Sequence, residues 1–203
     1  MAPSRVTMAP PAPKPELPRL HVPDAAAWEE WLSEHHDAPG VWLLLAKQGR
    51  GGRSPSYAEA VECALCFGWI DGQVRRLDEV YFQQRFTPRG PRSRWSEINV
   101  TKAQALIAAG RMQPPGQAAI DAARADGRWD QAYAPQSTAT VPDDLQAALD
   151  ADPAARDFFA TLTGSRRYSF LHRLAGVRTP AGRARRIAGY VERLREGRTL
   201  EDP

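Results

Sequence analysis

The apolar positions change period along the chain, and those changes lay out its elements. Trp28, Trp31 and Leu32 stand at the i, i+3, i+4 spacing of one helix face, with Asp24 placed to cap a helix predicted to run to about His36. Pro39-Gly40 ends it. Val41 to Ala46 is apolar on both sides, which suits a strand covered on two faces. Ser56-x-x-Glu59 is a capping box that opens a helix to Phe67, closed by Gly68, with Tyr57, Ala60, Val61, Ala64 and Leu65 in its apolar arc. Val80, Phe82 and Phe86 then alternate with Tyr81, Gln83 and Arg85, which predicts strands over 69–76 and 80–86 around a turn at Leu77-Asp78-Glu79. A turn at Asp71-Gly72 competes, but it leaves almost no strand before it.

Beyond Pro91 the helical period takes over. Ser93 or Ser96 caps a helix carrying Val100, Ala103, Leu106 and Ile107, and Pro114-Pro115 starts another that reaches Gly127. Residues 134–141, rich in Pro, Ser, Thr and Gln, form the expected linker. Four helices follow, over 142–149, 153–162 behind an Asp152 cap, 166–175 ended by Gly176, and 180–196 between Thr179 and Gly197. The predicted fold class is α+β. A proline-rich disordered tail over 1–20 precedes a domain at 21–133, in which a small, mostly antiparallel sheet of about three strands is packed by helices; a helical module at 142–198 completes the chain.

Composition removes several function classes. The net charge of +3 is too mild to argue nucleic-acid binding by itself, although only Lys14, Lys47 and Lys102 among the 27 basic residues are not arginine. No apolar run approaches the roughly 18 residues of a membrane span, and the first 20 residues carry six prolines and no apolar segment of a signal peptide. A cytoplasmic location is the expectation. Cys63 and Cys66 have dithiol spacing, but they fall in the last turn of their helix, where the dipole disfavours thiolate. Two sulfurs are also two ligands short of a structural zinc site, so no metal and no cofactor are expected.

Candidate chemistry concentrates between Trp69 and Asn99. Trp69, Arg75, Arg85, Thr87, Arg89, Ser93, Trp95, Ser96 and Asn99 bring guanidinium forks, two indoles and a helix start into one stretch. Such a set suits an anionic or aromatic small molecule or a peptide. Ser93 and Ser96 would stand where a helix start presents free N–H groups to an anion. Asp71 is the one carboxylate within 69–76; it is a general acid/base or a partner of Arg85 or Arg89 across the sheet, or else a turn residue or a structural ion pair. The bland alternative is an Arg-rich solvated edge with both indoles in the core. Arg183, Arg185 and Arg186 form a further basic cluster, which also suits a solvated helix face.

Ala64-Leu-Cys-Phe-Gly-Trp-Ile-Asp-Gly72, then Arg85-Phe-Thr-Pro-Arg89, then Ser93-x-Trp95-Ser96-x-x-Asn99, then Gly110-Arg-Met and Gly127-Arg-Trp, resemble the YdeI/OmpD-associated, or bacteriocin-protection, family over roughly His21 to Arg198. The segment 142–198 resembles that family's C-terminal helical module. The resemblance implies a role in tolerance to antimicrobial peptides or envelope stress, and it brings no agreed catalytic set. Three functions follow as expectations: a resistance-associated binding protein with an Arg/Trp-lined pocket, an enzyme on a small anionic substrate using Asp71, or a nucleic-acid binder.

Overall fold

The computed structural model describes residues 16–202, which fall in two compact units, 16–90 with 109–120 and 91–108 with 121–202. The division differs from the domain at 21–133 expected from sequence, because residues 91–108 and the end of the following helix are counted with the C-terminal helices.

The first unit is built on a four-stranded sheet in the order β1-β2-β4-β3, formed by β1 (Arg19–Leu20), β2 (Val41–Ala46), β3 (Trp69–Arg76) and β4 (Tyr81–Pro88). The β3/β4 hairpin turns after Arg76, so the competing turn at Asp71-Gly72 is not used; a bulge between Asp71 and Val74 occupies that place. Of the proline-rich stretch expected to be a tail, residues 1–15 lie outside the described residues. Arg19 and Leu20, assigned to that tail, instead pair in parallel with Trp42 and Leu43. A two-residue strand shows no alternation, which is why the pattern could not reveal it.

Two helices cover one face of the sheet. In α1 (Ala25–His35) the Asp24 carboxylate accepts from Ala27 N at 3.0 Å, and α2 (Tyr57–Cys66) opens with both hydrogen bonds of the Ser56/Glu59 capping box. Trp28 of α1 and Trp69 and Phe86 of the sheet are completely buried where helices meet strands; Trp69 meets Trp28 edge-on at 6.2 Å and Trp31 at 5.9 Å. Burial leaves neither indole N–H unpaired. Trp28 donates to Ala60 O at 3.1 Å and Trp69 to His36 O at 2.8 Å.

The link from α2 into β3 is sterically tight. Gly68 takes φ +74, a conformation that favours glycine, and a Cβ there would stand 2.7 Å from Pro115 O. Gly116, near the start of α4 (Pro114–Ala125), passes over the Cys66 carbonyl, where a Cβ would be 2.2 Å from the oxygen. That carbonyl is tied down by Gln113 N at 3.1 Å.

The second unit is helical. It holds α3 (Glu97–Ala108), α5 (Asp143–Asp150), α6 (Pro153–Thr161), α7 (Gly164–Ala175) and α8 (Pro180–Arg195). Of the two serines expected to cap α3, Ser96 does so, accepting from Asn99 N at 3.1 Å. Leu145, Leu149, Phe159, Phe170, Leu174, Tyr190 and Leu194 form a continuous core for α5 to α8. Asp152 and Thr179 cap α6 and α8 as the sequence predicted.

Candidate functional site

In the first unit, the register sorts the predicted site residues onto two faces, because residues opposite each other across a ladder share a face. Asp71 lies opposite Phe86 and Trp69 opposite Pro88, on the face covered by α1 and α2. Arg85 lies opposite Trp42, Thr87 opposite Ile70, and Arg75 opposite Gln83, all on the other face. The expected convergence of Trp69 and Asp71 with Arg75 and Arg85 therefore does not occur. Trp69 is 0% exposed and is a core residue. Asp71 accepts a hydrogen bond from the Tyr57 hydroxyl at 2.7 Å. Arg75 sits over the Trp42 ring at 4.1 Å and pairs with Glu16, while the buried Nε of Arg85 has no hydrogen-bond partner. Thr87 packs on Gly40, whose Cβ would stand 2.7 Å from Thr87 Cγ2, and Arg89 donates its backbone N–H to Gly68 O.

In the second unit, Trp95 is 1% exposed and meets Trp129 edge-on at 4.8 Å. Both indoles singled out by the sequence are thus interior, and neither presents a face to a ligand. Ser93 contributes its carbonyl, which accepts from Arg128 Nη1 at 2.8 Å, and Ser96 is taken up by the cap to Asn99.

Arg128 is the residue that sequence reasoning passed over. It is only 5% exposed, and its guanidinium donates to Asp126 as well as to Ser93 O, so the segment before α3 is pinned to the turn after α4. These hydrogen bonds hold the Asp126 carboxyl below its ordinary range. Arg94 packs over the Tyr133 ring at 4.6 Å and donates to His172 O at 3.0 Å. Burial lowers the Arg94 pKa, and burial followed by the nearby Arg94 and Arg173 charges lowers that of His172.

Arg92, Arg94, Arg128 and Arg178 line one cavity of about 280 Å³ together with Gln131, Ala175 and Gly176, and no carboxylate is among these lining residues. A Cβ on Gly176 would stand 3.2 Å from Arg94 Nη1, so the glycine leaves that guanidinium its place. Gly127-Arg128-Trp129 was visible as a motif, but nothing in its spacing showed that the arginine would be buried beside Arg94. A larger cleft of about 860 Å³ beside α5 and α8 is walled by Ala148, Ala184, Ile187 and Val191. Its arginines Arg183 and Arg195 are paired to Asp144 and Asp152, which leaves Arg178, shared with the smaller cavity.

Residues 138–197 match the family described as bacteriocin-protection, YdeI or OmpD-associated. That match takes in helices α5 to α8. Residues 20–119 match a different family, described as a domain of unknown function (DUF8412). The match to the bacteriocin-protection description is thus shorter than the His21 to Arg198 span suggested by the motifs, and most of those motifs lie in the other match. No curated protein and no solved structure is significantly similar to the chain. Of the four cavity arginines, Arg178 alone falls inside the matched bacteriocin-protection segment.

Among the described residues no group of three or more His, Cys, Asp or Glu side chains is placed to hold a metal, and no helix is long and apolar enough to cross a membrane. Cys63 and Cys66 are buried free thiols. Burial pushes Cys63 from 9.0 up to about 12 and Cys66 up to about 11, with Arg111 opposing the shift at both. A raised folded-state pKa contributes stability that is complete below pH 9.0 and is lost as pH rises towards 11 and 12. The denaturation midpoint is expected to fall across that window, and Cys63→Ala with Cys66→Ala to flatten the fall. Native protein at pH 8 should resist thiol alkylation; rapid labelling of both cysteines would contradict their burial.

Proposed function

We propose that this protein is a bacteriocin-protection-associated binding protein whose four-arginine cavity takes a small anionic ligand. The observation that carries the reading is the convergence of Arg92, Arg94, Arg128 and Arg178 on one cavity without a lining carboxylate. Guanidinium groups bind carboxylate and phosphate through paired N–H donors, and their hold strengthens where water is partly excluded. Arg128 and Arg94 are fixed by Asp126, Ser93, Tyr133 and His172, so they are pre-set in position, while Arg92 and Arg178 are exposed at the mouth. Pre-set donors lose little freedom on binding, which favours affinity.

The family's description supports the biological half of the proposal, and the cavity supports the chemical half. Calorimetry with citrate and inorganic pyrophosphate is the test. Arg94→Met combined with Arg178→Met is expected to weaken binding by about tenfold or more, the loss of one to two charge-assisted contacts. Wild-type protein that binds neither anion, or a double variant that binds both as tightly as wild type, would overturn the proposal.

A further inference from the structure

The four-arginine cavity has a titratable neighbour just behind its wall. His172 is half-buried near the end of α7, three and four residues before Ala175 and Gly176, which line the cavity, so helical spacing puts it on the same side of that helix end. Its Nε2 stands 3.5 Å from Nη1 of Arg94, and the same Nη1 donates to the His172 carbonyl at 3.0 Å. One guanidinium therefore touches the imidazole and lines the cavity. A bare Nε2 turns a lone pair towards that guanidinium, whereas a protonated Nε2 brings two positive charges together.

The other groups around the ring do not soften this opposition. Tyr133 meets the imidazole edge-on at 4.7 Å, and Tyr168 of α7 lies tilted at 5.6 Å with its hydroxyl donating to Ala134 O. Glu97, at the start of α3, acts on Tyr168. The charges that act on His172 itself are Arg94 and Arg173, both positive. Burial first, then Arg94, then Arg173 hold His172 below its ordinary value of 6.5, so the free protein keeps the ring neutral at pH 7. An anion in the cavity reverses the local field. A dianion roughly 7 Å from the ring favours its protonation by about tenfold even at an effective dielectric constant of about 60. Arg94 keeps its seat over Tyr133 and its bond to the His172 carbonyl in either state, because neither involves Nε2.

We propose that His172 is a proton-linked member of the anion site: as an anion enters the cavity, His172 Nε2 takes up a proton from water, and loss of that proton loosens the anion's hold. His172 is a positioning and charge-setting residue here, and its role rests on the reading of the cavity as an anion site. Linkage is reciprocal, so the factor by which the anion favours the proton is the factor by which the proton favours the anion. Affinity rises as pH falls through the value His172 has in the anion-bound protein, and levels off below the value it has in the free protein.

The test follows the His172 ring by proton NMR through a pH titration of the full-length protein, free and saturated with citrate or pyrophosphate, whichever binds the more tightly; His172→Gln assigns the resonance. The midpoint should lie below 6.5 in the free protein. On saturation it should rise by about one pH unit, the same tenfold expressed as protonation. In calorimetry, the ratio of affinity at pH 5.5 to that at pH 8 should be severalfold larger for wild type than for His172→Gln; the anion's own titration is common to both proteins and cancels. A merely structural role would lower affinity at both pH values and leave that ratio alone, which would overturn the proposal. Should His172→Gln fold poorly, the wild-type midpoints decide. A midpoint unmoved by saturating anion overturns the proton linkage and leaves the anion site standing, whereas failure of both anions to bind overturns the reading of the cavity and the linkage with it. A rise shared equally by all four histidines would be a general charge effect and would overturn the linkage as well.

Discussion

Replacing Trp69 with alanine is expected to destabilise the sheet-bearing unit by about 3–5 kcal/mol, the range for removing a large aromatic from a packed core. Trp69 is fully buried, lies edge-on to both Trp28 and Trp31, and donates to His36 O at the end of α1. Alanine would leave a void under α1 and withdraw the donor that ties that helix end to β3. Trp69→Phe keeps most of the ring and loses the N–H, so its cost should be smaller, about 1–2 kcal/mol. Urea unfolding followed by far-ultraviolet circular dichroism separates the two. A ligand contact would behave differently, with affinity falling and the midpoint holding. A Trp69→Ala protein with a wild-type midpoint would remove Trp69 from the core.

The second large effect is expected at Gly116. Glycine to alanine inside a helix ordinarily stabilises it by about 1 kcal/mol. Here the added methyl would stand 2.2 Å from the Cys66 carbonyl oxygen and 2.5 Å from Met112 Sδ. The sulfur can swing aside, but the carbonyl is backbone and is hydrogen-bonded to Gln113 N. Relief requires the start of α4 to move away from the end of α2, which costs about 3 kcal/mol by the measure of overpacked cores. Gly116→Ala should therefore lower the unfolding midpoint sharply, whereas Gly189→Ala, with open space at its Cβ, should raise it. Matching signs for the two variants would contradict the packing described at the α2/α4 junction.

The elements with strong local signals were legible in the sequence. The Ser56/Glu59 capping box, the apolar run Val41 to Ala46 and the caps at Asp24, Asp152 and Thr179 depend on neighbours a few residues away, and each stands where the pattern placed it. Thr87 and Pro88 extend β4 past its expected end, since pairing with Ile70 and Trp69 outweighs the low strand propensity of proline at an edge of the run. The candidate site was harder to see, for a physical reason. Which guanidiniums share a cavity depends on residues far apart in the chain, such as Arg94 and Arg178, and on a bulge between Asp71 and Val74 that changes which side chains face together. Trp69 and Trp95, whose nearness to arginine suggested a binding surface, are interior, and guanidiniums roof the faces of other indoles, as Arg75 does over Trp42 and Arg124 over Trp129.

That roofing has an optical consequence. Of the six tryptophans, Trp28, Trp42, Trp69, Trp95 and Trp129 are buried, and Trp31 is half-buried. Intrinsic emission from the native protein should be blue-shifted and poorly quenched by iodide, so it serves as a gauge of unfolding and stays almost silent when an anion occupies the cavity of Arg92, Arg94, Arg128 and Arg178.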